Sequence, residues 1–413
     1  MKKHMGAKSR VYNKYDIFVT ILIVALIGGG SGGALEPIRW FSILFAPIAL
    51  SLYSSSHDKH IMSYFRFFAF WYMYMILSLA WTSDFRRGLN ELVYYPIHFM
   101  LFLEILLFSQ KARNPIQSIS LAWLVAFLLT SLVAIWEIRT DHHLSFAVQT
   151  EDSVASVGFD SFYYRFASVT FGNYNTYNTF ICYSIPFILY SFAIKYKISR
   201  IFSFTALLLS AYIIITNASR GAIASLILMA FIYSWMIFFR NRSIKSKLRI
   251  IFIISITALF LLYNWFTISG HLLFRMTYGD IGSDENRMVL WSTAISIFFN
   301  SFGFGAGVGS LTKSMAETGH IVPHNAFLEL LLQYGLIIFI VVIKFLLKIF
   351  RRFQHIKDLR IRGVGYCALI VLPLYLIIDS TYMLKPQLWV LIASLYVFST
   401  YKNDNKLGVA KWR

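Results

Sequence analysis

Cysteine is nearly absent from the sequence. Cys182 and Cys367 both lie inside apolar runs, which leaves no disulfide framework and no CxxC metal site. Charge is scarce as well. Of 413 residues, 14% are Asp, Glu, Lys or Arg, against 58% hydrophobic. A soluble chain of this size could not hide that much apolar surface, so the composition points to a polytopic membrane protein. No fixed-period repeat, low-complexity tract or Pro/Gly-rich linker divides the chain, which reads as one membrane domain over 1–413. Acidic residues are few, and the formal net charge is +19. On a soluble protein that charge would suggest nucleic acid. Here it reads as loop charge that orients the spans and meets anionic membrane lipid, with no nucleic-acid partner. The basic stretch 1–15 precedes an apolar run without a small-residue cleavage site, so that run is read as a retained first span.

The expected fold class is all-α: a polytopic membrane helical bundle of about 12 transmembrane helices with a large helical extracytoplasmic loop. The spans fall near 16–34, 37–54, 62–82, 89–109, 115–138, 171–194, 200–217, 220–239, 250–268, 325–347, 363–383 and 386–401. Glycines at 28–30, 32 and 33 predict a broken or closely packed end for the first span. With the N-terminus placed in the cytoplasm, 27 of the 38 Lys and Arg residues fall on the inner side and 10 on the outer, with Arg66 left inside a span. This asymmetry puts both termini in the cytoplasm and the long loops outside. Those loops are 139–170 and 268–324, and long ordered loops are usually functional.

The interval 268–335 concentrates the polar residues. It holds Arg275, Asp280, Asp284, Glu285, Arg287, alternating glycines from Gly303 to Gly309, and Pro323-His324-Asn325, after which an unbroken apolar helix is expected. The glycines follow a helix, not a strand, so they are read as a tight turn or a close backbone approach instead of a nucleotide loop. Met288, Trp291, Ile295 and Phe298, spaced by three, four and three, predict a short amphipathic helix lying in the membrane interface.

Outer arginines are a minority under the orientation rule. Arg220 opens the eighth span after Asn217 and Ser219, either of which can cap it. A cation opposes the macrodipole there unless an anion is held by the helix N–H groups and the guanidinium together. The alternative is a snorkelling interfacial arginine. For Arg287 the alternative is a salt bridge to Asp284 or Glu285, and for Arg86-Arg87 a solvated pair with Asp84. Arg165 lies before Asn173 and Asn175 at the mouth of the sixth span. His324 can accept a hydroxyl proton or hold a phosphate, or can be purely structural. Asp141, His142, His143, Glu151 and Asp152 lack helical i, i+4 metal-ligand spacing, so no metal site is expected. Together, three cations and a histidine on one face suit a lipid-linked diphosphate.

These residues resemble the O-antigen ligase and O-antigen polymerase superfamily of bacterial membrane glycosyltransferases. The matching pieces are Arg165 to Asn175, the Thr216–Gly221 segment with its Ser-Arg-Gly, Asn286-Arg287 with Trp291 and the glycines, and His324-Asn325 followed nine residues later by Gly335. Ile338 departs from the ligase form of the last motif, and the polymerase spacing of arginine, ten residues, glycine is absent from both Arg220 and Arg287.

The resemblance implies transfer of a glycan from an undecaprenyl-diphosphate-linked donor to a glycan or lipid A-core acceptor. The reaction would be metal-independent and inverting, without cofactor, in the bacterial cytoplasmic (inner) membrane with the site on the periplasmic side. It implies catalytic roles for His324, Arg220 and Arg287, and substrate contacts for Arg165, Asn175 and Asn325. The competing classes are a transporter or flippase, kept open by in-span charges Arg66, Glu104 and Asp379, and a non-catalytic envelope subunit.

Overall fold

The computed structural model describes residues 12–29, 36–55, 58–144, 165–192, 194, 196–240, 283–316, 323–377 and 382–400, with isolated positions between 244 and 263. Arg275, Asp280, Glu151, Asp152, Asp379, Gly30, Gly32, Gly33 and most of the span expected near 250–268 lie outside them.

The described residues form an all-helical membrane bundle. In chain order the helices are α1 (Lys14–Val24), α2 (Pro37–Ser54), α3 (Lys59–Ser78), α4 (Phe85–Lys111) and α5 (Pro115–Thr140). They continue with α6 (Tyr174–Phe192), α7 (Lys197–Thr216), α8 (Arg220–Arg240), α9 (Ser283–Asn300) and α10 (Leu311–Met315). The last are α11 (Ala326–His355), α12 (Leu359–Tyr375) and α13 (Pro386–Thr400). Among the described residues, α2, α4, α5, α7 and α11 are long and apolar enough to cross a membrane, and α8 and α13 are shorter apolar helices.

Local chemistry sets the helix starts. Proline, which lacks an N–H to leave orphaned, stands in the first turn of α2, α5 and α13. Asn13 and Asp16 form a reciprocal capping box on α1. Asp16 is buried and also accepts from Arg113 N at 3.0 Å, Asn114 N at 2.9 Å and Ser118 Oγ at 2.8 Å. One carboxylate thus ties the start of α1 to the α4–α5 turn, at the end of the bundle away from the candidate site. At the other end α1 gives way to a 3-10 turn, Ala25–Gly28, where a Cβ on Gly28 would strike the Pro37 ring. The glycine-rich end expected there is a close helix approach.

The core is aromatic. Trp71, Phe99 and Trp389 pack with ring centroids 5.2–5.8 Å apart, joining α3, α4 and α13. Such ring pairs add to area burial. Arg66, expected inside a span, is exposed, whereas Glu104 is fully buried.

One expectation is overturned. The helix after Asn325 is not continuous, because Gly335 sits at φ 69°, ψ −171° inside α11. Phe327 and Ile343 line one cavity, although sixteen residues would separate them by roughly 24 Å on a straight helix. The nine-residue first half of α11, Ala326–Tyr334, therefore meets the second half at a sharp bend. A broken helix leaves carbonyls and an N–H without partners, which is costly where water is absent. The glycine segment supplies them. Ala306 N donates to Leu332 O at 2.6 Å, Gly307 N to Gln333 O at 3.1 Å, and Leu336 N to Gly303 O at 2.9 Å. This approach needs bare backbone: a Cβ on Gly305 would lie 2.6 Å from Gly335 N.

The segment is held from behind by α3 and α4. Tyr74 Oη donates to Phe304 O, Trp81 Nε1 to Gly305 O at 3.0 Å, and Val308 N to Ser78 Oγ at 3.0 Å. Buried Glu91 accepts from Gly309 N at 3.1 Å and Gln333 Nε2 at 3.3 Å, and pairs with Arg87 at 3.4 Å. Arg87 thus pairs with Glu91 and not with Asp84, whose carboxylate caps α4 through Arg87 N.

Candidate functional site

The sequence-predicted residues gather at one end of the bundle, where α6, α8, α13 and the first half of α11 all begin. Arg220 is the first residue of α8 and is exposed. The turn before it is fixed by Asn217, which accepts from Ala167 N at 2.8 Å and donates to Ala167 O at 3.1 Å and Asn178 Oδ1 at 2.9 Å. Asn217 is therefore a clamp on the segment before α6. Ser219 Oγ donates to Asn175 Oδ1 at 3.4 Å, so Asn175 in the first turn of α6 stands beside Arg220.

From Asn175 the links pass to two further segments. The next residue, Thr176, accepts from Lys385 Nζ at 3.0 Å. Lys385 follows the short turn Tyr382–Leu384 and precedes α13. Tyr382 N donates to Glu329 Oε2 at 2.9 Å, and Glu329 N to Asn325 O at 2.9 Å. Asn325 caps the first half of α11, accepting from Phe327 N at 3.0 Å and Leu328 N at 3.3 Å. His324 precedes this cap in a left-handed conformation, φ 48°, that is uncommon for a residue with a side chain. Such a conformation persists where surrounding contacts impose it. The constraints here are the Asn325 cap and the bond from Trp291 Nε1 to Pro323 O at 3.0 Å.

Trp291 brings in Arg287. The two are one turn apart on α9, and Arg287, Leu290, Trp291 and Ala294 share a stripe at i, i+3, i+4 and i+7. Leu290 and Ala294 are buried with Leu311, Met315 and Leu332. Of the expected apolar stripe, Trp291 packs against these residues, whereas Met288 is 68% exposed and Ile295 42% exposed at the protein surface. The stripe that packs is the one bearing Arg287, because α9 lies on α10 and on the first half of α11. The side chains of Asp284 and Glu285 lie outside the described residues, so a salt bridge from Arg287 to them is untested.

Arg165 has a different place. Its Nη1 donates to Arg139 O at 2.6 Å and Ile138 O at 3.3 Å, so the guanidinium caps the C-terminus of α5, where a cation complements the dipole. Beside it, buried Glu137 accepts from Ser168 N at 2.9 Å and Val169 N at 2.8 Å, and lies 3.6 Å from His143 Nδ1. Glu137 and Arg165 thus tie the entry of α6 to the end of α5. His142 turns instead to Thr140 O at 2.7 Å.

Sequence reasoning passed over Lys385 and Glu329. Lys385 was one outer cation among ten, and its signal was its place immediately before Pro386, a helix-starting proline. Glu329 lies in the first turn of α11, where it reads as ordinary dipole complementation.

Comparison with known proteins matches residues 205–343 to a family model described as O-antigen ligase. A curated relative, the teichuronic acid biosynthesis protein TuaE of Bacillus subtilis (strain 168), is 22% identical over 296 residues, covering 68% of this chain. The chain spans 59% of that relative's length. Arg220, Arg287, His324, Asn325 and Gly335 all fall inside the family match, and the comparisons bear out the likeness to the O-antigen ligase and O-antigen polymerase superfamily.

Proposed function

We propose that the chain is a membrane glycosyltransferase of the O-antigen ligase and polymerase type. It transfers a glycan from undecaprenyl diphosphate to an acceptor sugar hydroxyl, on the outer face of the bacterial cytoplasmic membrane. The observation that carries this reading is the set of bonds Ser219–Asn175, Lys385–Thr176, Tyr382–Glu329 and Trp291–Pro323, which bring the segments bearing Arg220, Asn175, Lys385, Asn325, His324 and Arg287 together. Four helix N-termini and three cations at one place favour a polyanion. The positive-inside asymmetry orients that end outward.

In this mechanism Arg220 and Arg287 bind the diphosphate and stabilise it as it leaves. The acceptor hydroxyl oxygen attacks the anomeric carbon, and the bond from that carbon to the diphosphate oxygen breaks with its electron pair. His324 orients the hydroxyl and takes up its proton. Attack opposite the leaving group inverts the anomeric centre, and the chemistry asks for no metal. Asn175 and Asn325 border the same site and contact sugar or phosphate.

The acceptor we favour is another lipid-linked repeat, which makes the protein a polysaccharide polymerase. The ligase reading, with lipid A-core as acceptor, is weakened at Ile338, an apolar side chain that is fully buried and has no polar group to offer a substrate. The test is a transfer assay on purified protein with a lipid-diphosphate-linked glycan and each acceptor in turn. Alanine at Arg220, Arg287 or His324 is expected to abolish transfer while leaving expression and folding unchanged. Unaltered transfer by all three would remove the reading.

A further inference from the structure

Between the second half of α11 and α12 lies an apolar groove of about 300 Å³. Phe327, Ile343, Leu346, Phe350, Leu369 and Pro373 line it, with no charged side chain among the lining residues. Its upper end is fixed relative to the site. Phe327 stands three residues after His324, and Ala326 N donates to Leu376 O at 3.0 Å, so the start of α11 is bonded to the end of α12. Along α11 the groove runs from Ile343 to Phe350, roughly 10 Å at 1.5 Å per residue. Leu347 and Ile370 on its rim are 47% and 43% exposed, which opens it sideways to lipid. The bend at Gly335 creates this geometry. A straight α11 would carry Phe327 away from Ile343 and leave the groove without its upper wall.

We propose that this groove seats the diphosphate-proximal part of the donor's isoprenoid tail. The inference rests on the lipid-diphosphate reading of the site. Candidate cationic residues joined through the first turn of α11 to an apolar channel are complementary to a molecule that joins a diphosphate to a hydrocarbon chain. A bulk phospholipid chain would need no such continuity. The bent helix then serves both ends of the donor. Its first half places His324 by the diphosphate, and its Phe327 covers the chain that follows.

The test compares two donors with the same diphosphate and glycan, one with a long isoprenoid tail and one with a short, water-soluble tail. The full-length protein is held in phosphatidylethanolamine and phosphatidylglycerol nanodiscs. Leu346→Trp, which fills the groove, is expected to raise KM for the long-tailed donor about tenfold, with kcat and the short-tailed KM unchanged. Leu346→Ala removes contact without adding bulk and is expected to shift KM in the same direction by less, which covers the case where the Trp variant fails to fold. Equal KM changes for both donors, or none, would overturn the proposal while leaving the site reading intact. No turnover of either donor by the unaltered protein would instead refute the site reading. A photoreactive phospholipid that labels Leu369 as strongly as a photoreactive donor tail would mark the groove as an ordinary lipid cleft.

Discussion

Gly335→Ala attacks the arrangement at its hinge. Gly335 has φ 69°, ψ −171°, a region that is essentially glycine-only, and imposing it on alanine costs about 1–3 kcal/mol. The added Cβ would also collide with the carbonyls of Gly303 and Phe304. The glycine segment must then withdraw, which breaks the bonds from Ala306 N, Gly307 N and Leu336 N. Each buried group left without a partner costs about 1–3 kcal/mol. Losing even one of these bonds brings the expected destabilisation to about 2–6 kcal/mol. The chain can relieve that strain by straightening α11, which restores helical bonding across residue 335 and carries His324 away from Lys385. Straightening displaces the start of α11, and a displacement of the imidazole by about 1 Å can cost about a hundredfold in rate. Thermal unfolding in nanodiscs and initial transfer rate are measured together. Gly363→Ala on α12 serves as a control, because a Cβ there meets only the Tyr233 ring at 3.5 Å. Gly335→Ala with unchanged melting temperature and unchanged rate would refute the claim that the bend builds the site.

Four further outcomes follow from the same contacts. Glu91→Ala strands Gly309 N and Gln333 Nε2, and should lower stability by about 2–3 kcal/mol in thermal or denaturant unfolding. Asn217→Ala removes three hydrogen bonds beside Arg220, so it should cost about 2 kcal/mol and reduce transfer by displacing Arg220, whereas Ser225→Ala one turn into α8 should do neither. Lys385→Met should raise the donor KM about tenfold and weaken inhibition by inorganic diphosphate, with partial recovery in Lys385→Arg. Arg165→Lys should lower the melting temperature through the lost α5 cap while leaving donor KM unchanged; a rise in KM without loss of stability would return Arg165 to the substrate.

The helices and their apolar runs were legible because burial in a bilayer demands long stretches of one kind of residue. The candidate residues were picked out by charge, since Arg220, Arg287 and His324 stand out in a sequence poor in outer cations, and their roles are those proposed above. Three things were hidden. The break at Gly335 was invisible because one apolar run continues through it, and only the backbone of Gly303–Gly309, distant in sequence, makes the bend stable. The packed face of α9 carried no mark in the sequence, because Met288, Trp291, Ile295 and Phe298 carry the larger apolar side chains. Packing instead selected Leu290 and Ala294, which let α9 approach α11 closely. The bonds from Arg165 to the last carbonyls of α5 were hidden because a guanidinium on carbonyls leaves no pattern in the sequence that separates it from one on phosphate.

The bend and the glycine segment depend on each other. A helix interrupted in a membrane-spanning bundle is tolerated only where other groups take up the freed backbone positions. The glycine segment does this at Leu332, Gln333 and Leu336, and its own carbonyls are taken up in turn by Tyr74, Trp81 and Thr82. What the interruption provides is a second helix N-terminus inside the bundle. A continuous α11 could begin only where the chain enters the bilayer. The bent one begins at Asn325, bonded through Ala326 to the end of α12 and through Glu329 to the turn that carries Lys385. The alternating glycines are thus not a binding loop. They support the bend that, in the proposed mechanism, lets a histidine and a helix N-terminus face the same anion, and their bulkier variants should fail in proportion to how far they push the bend open.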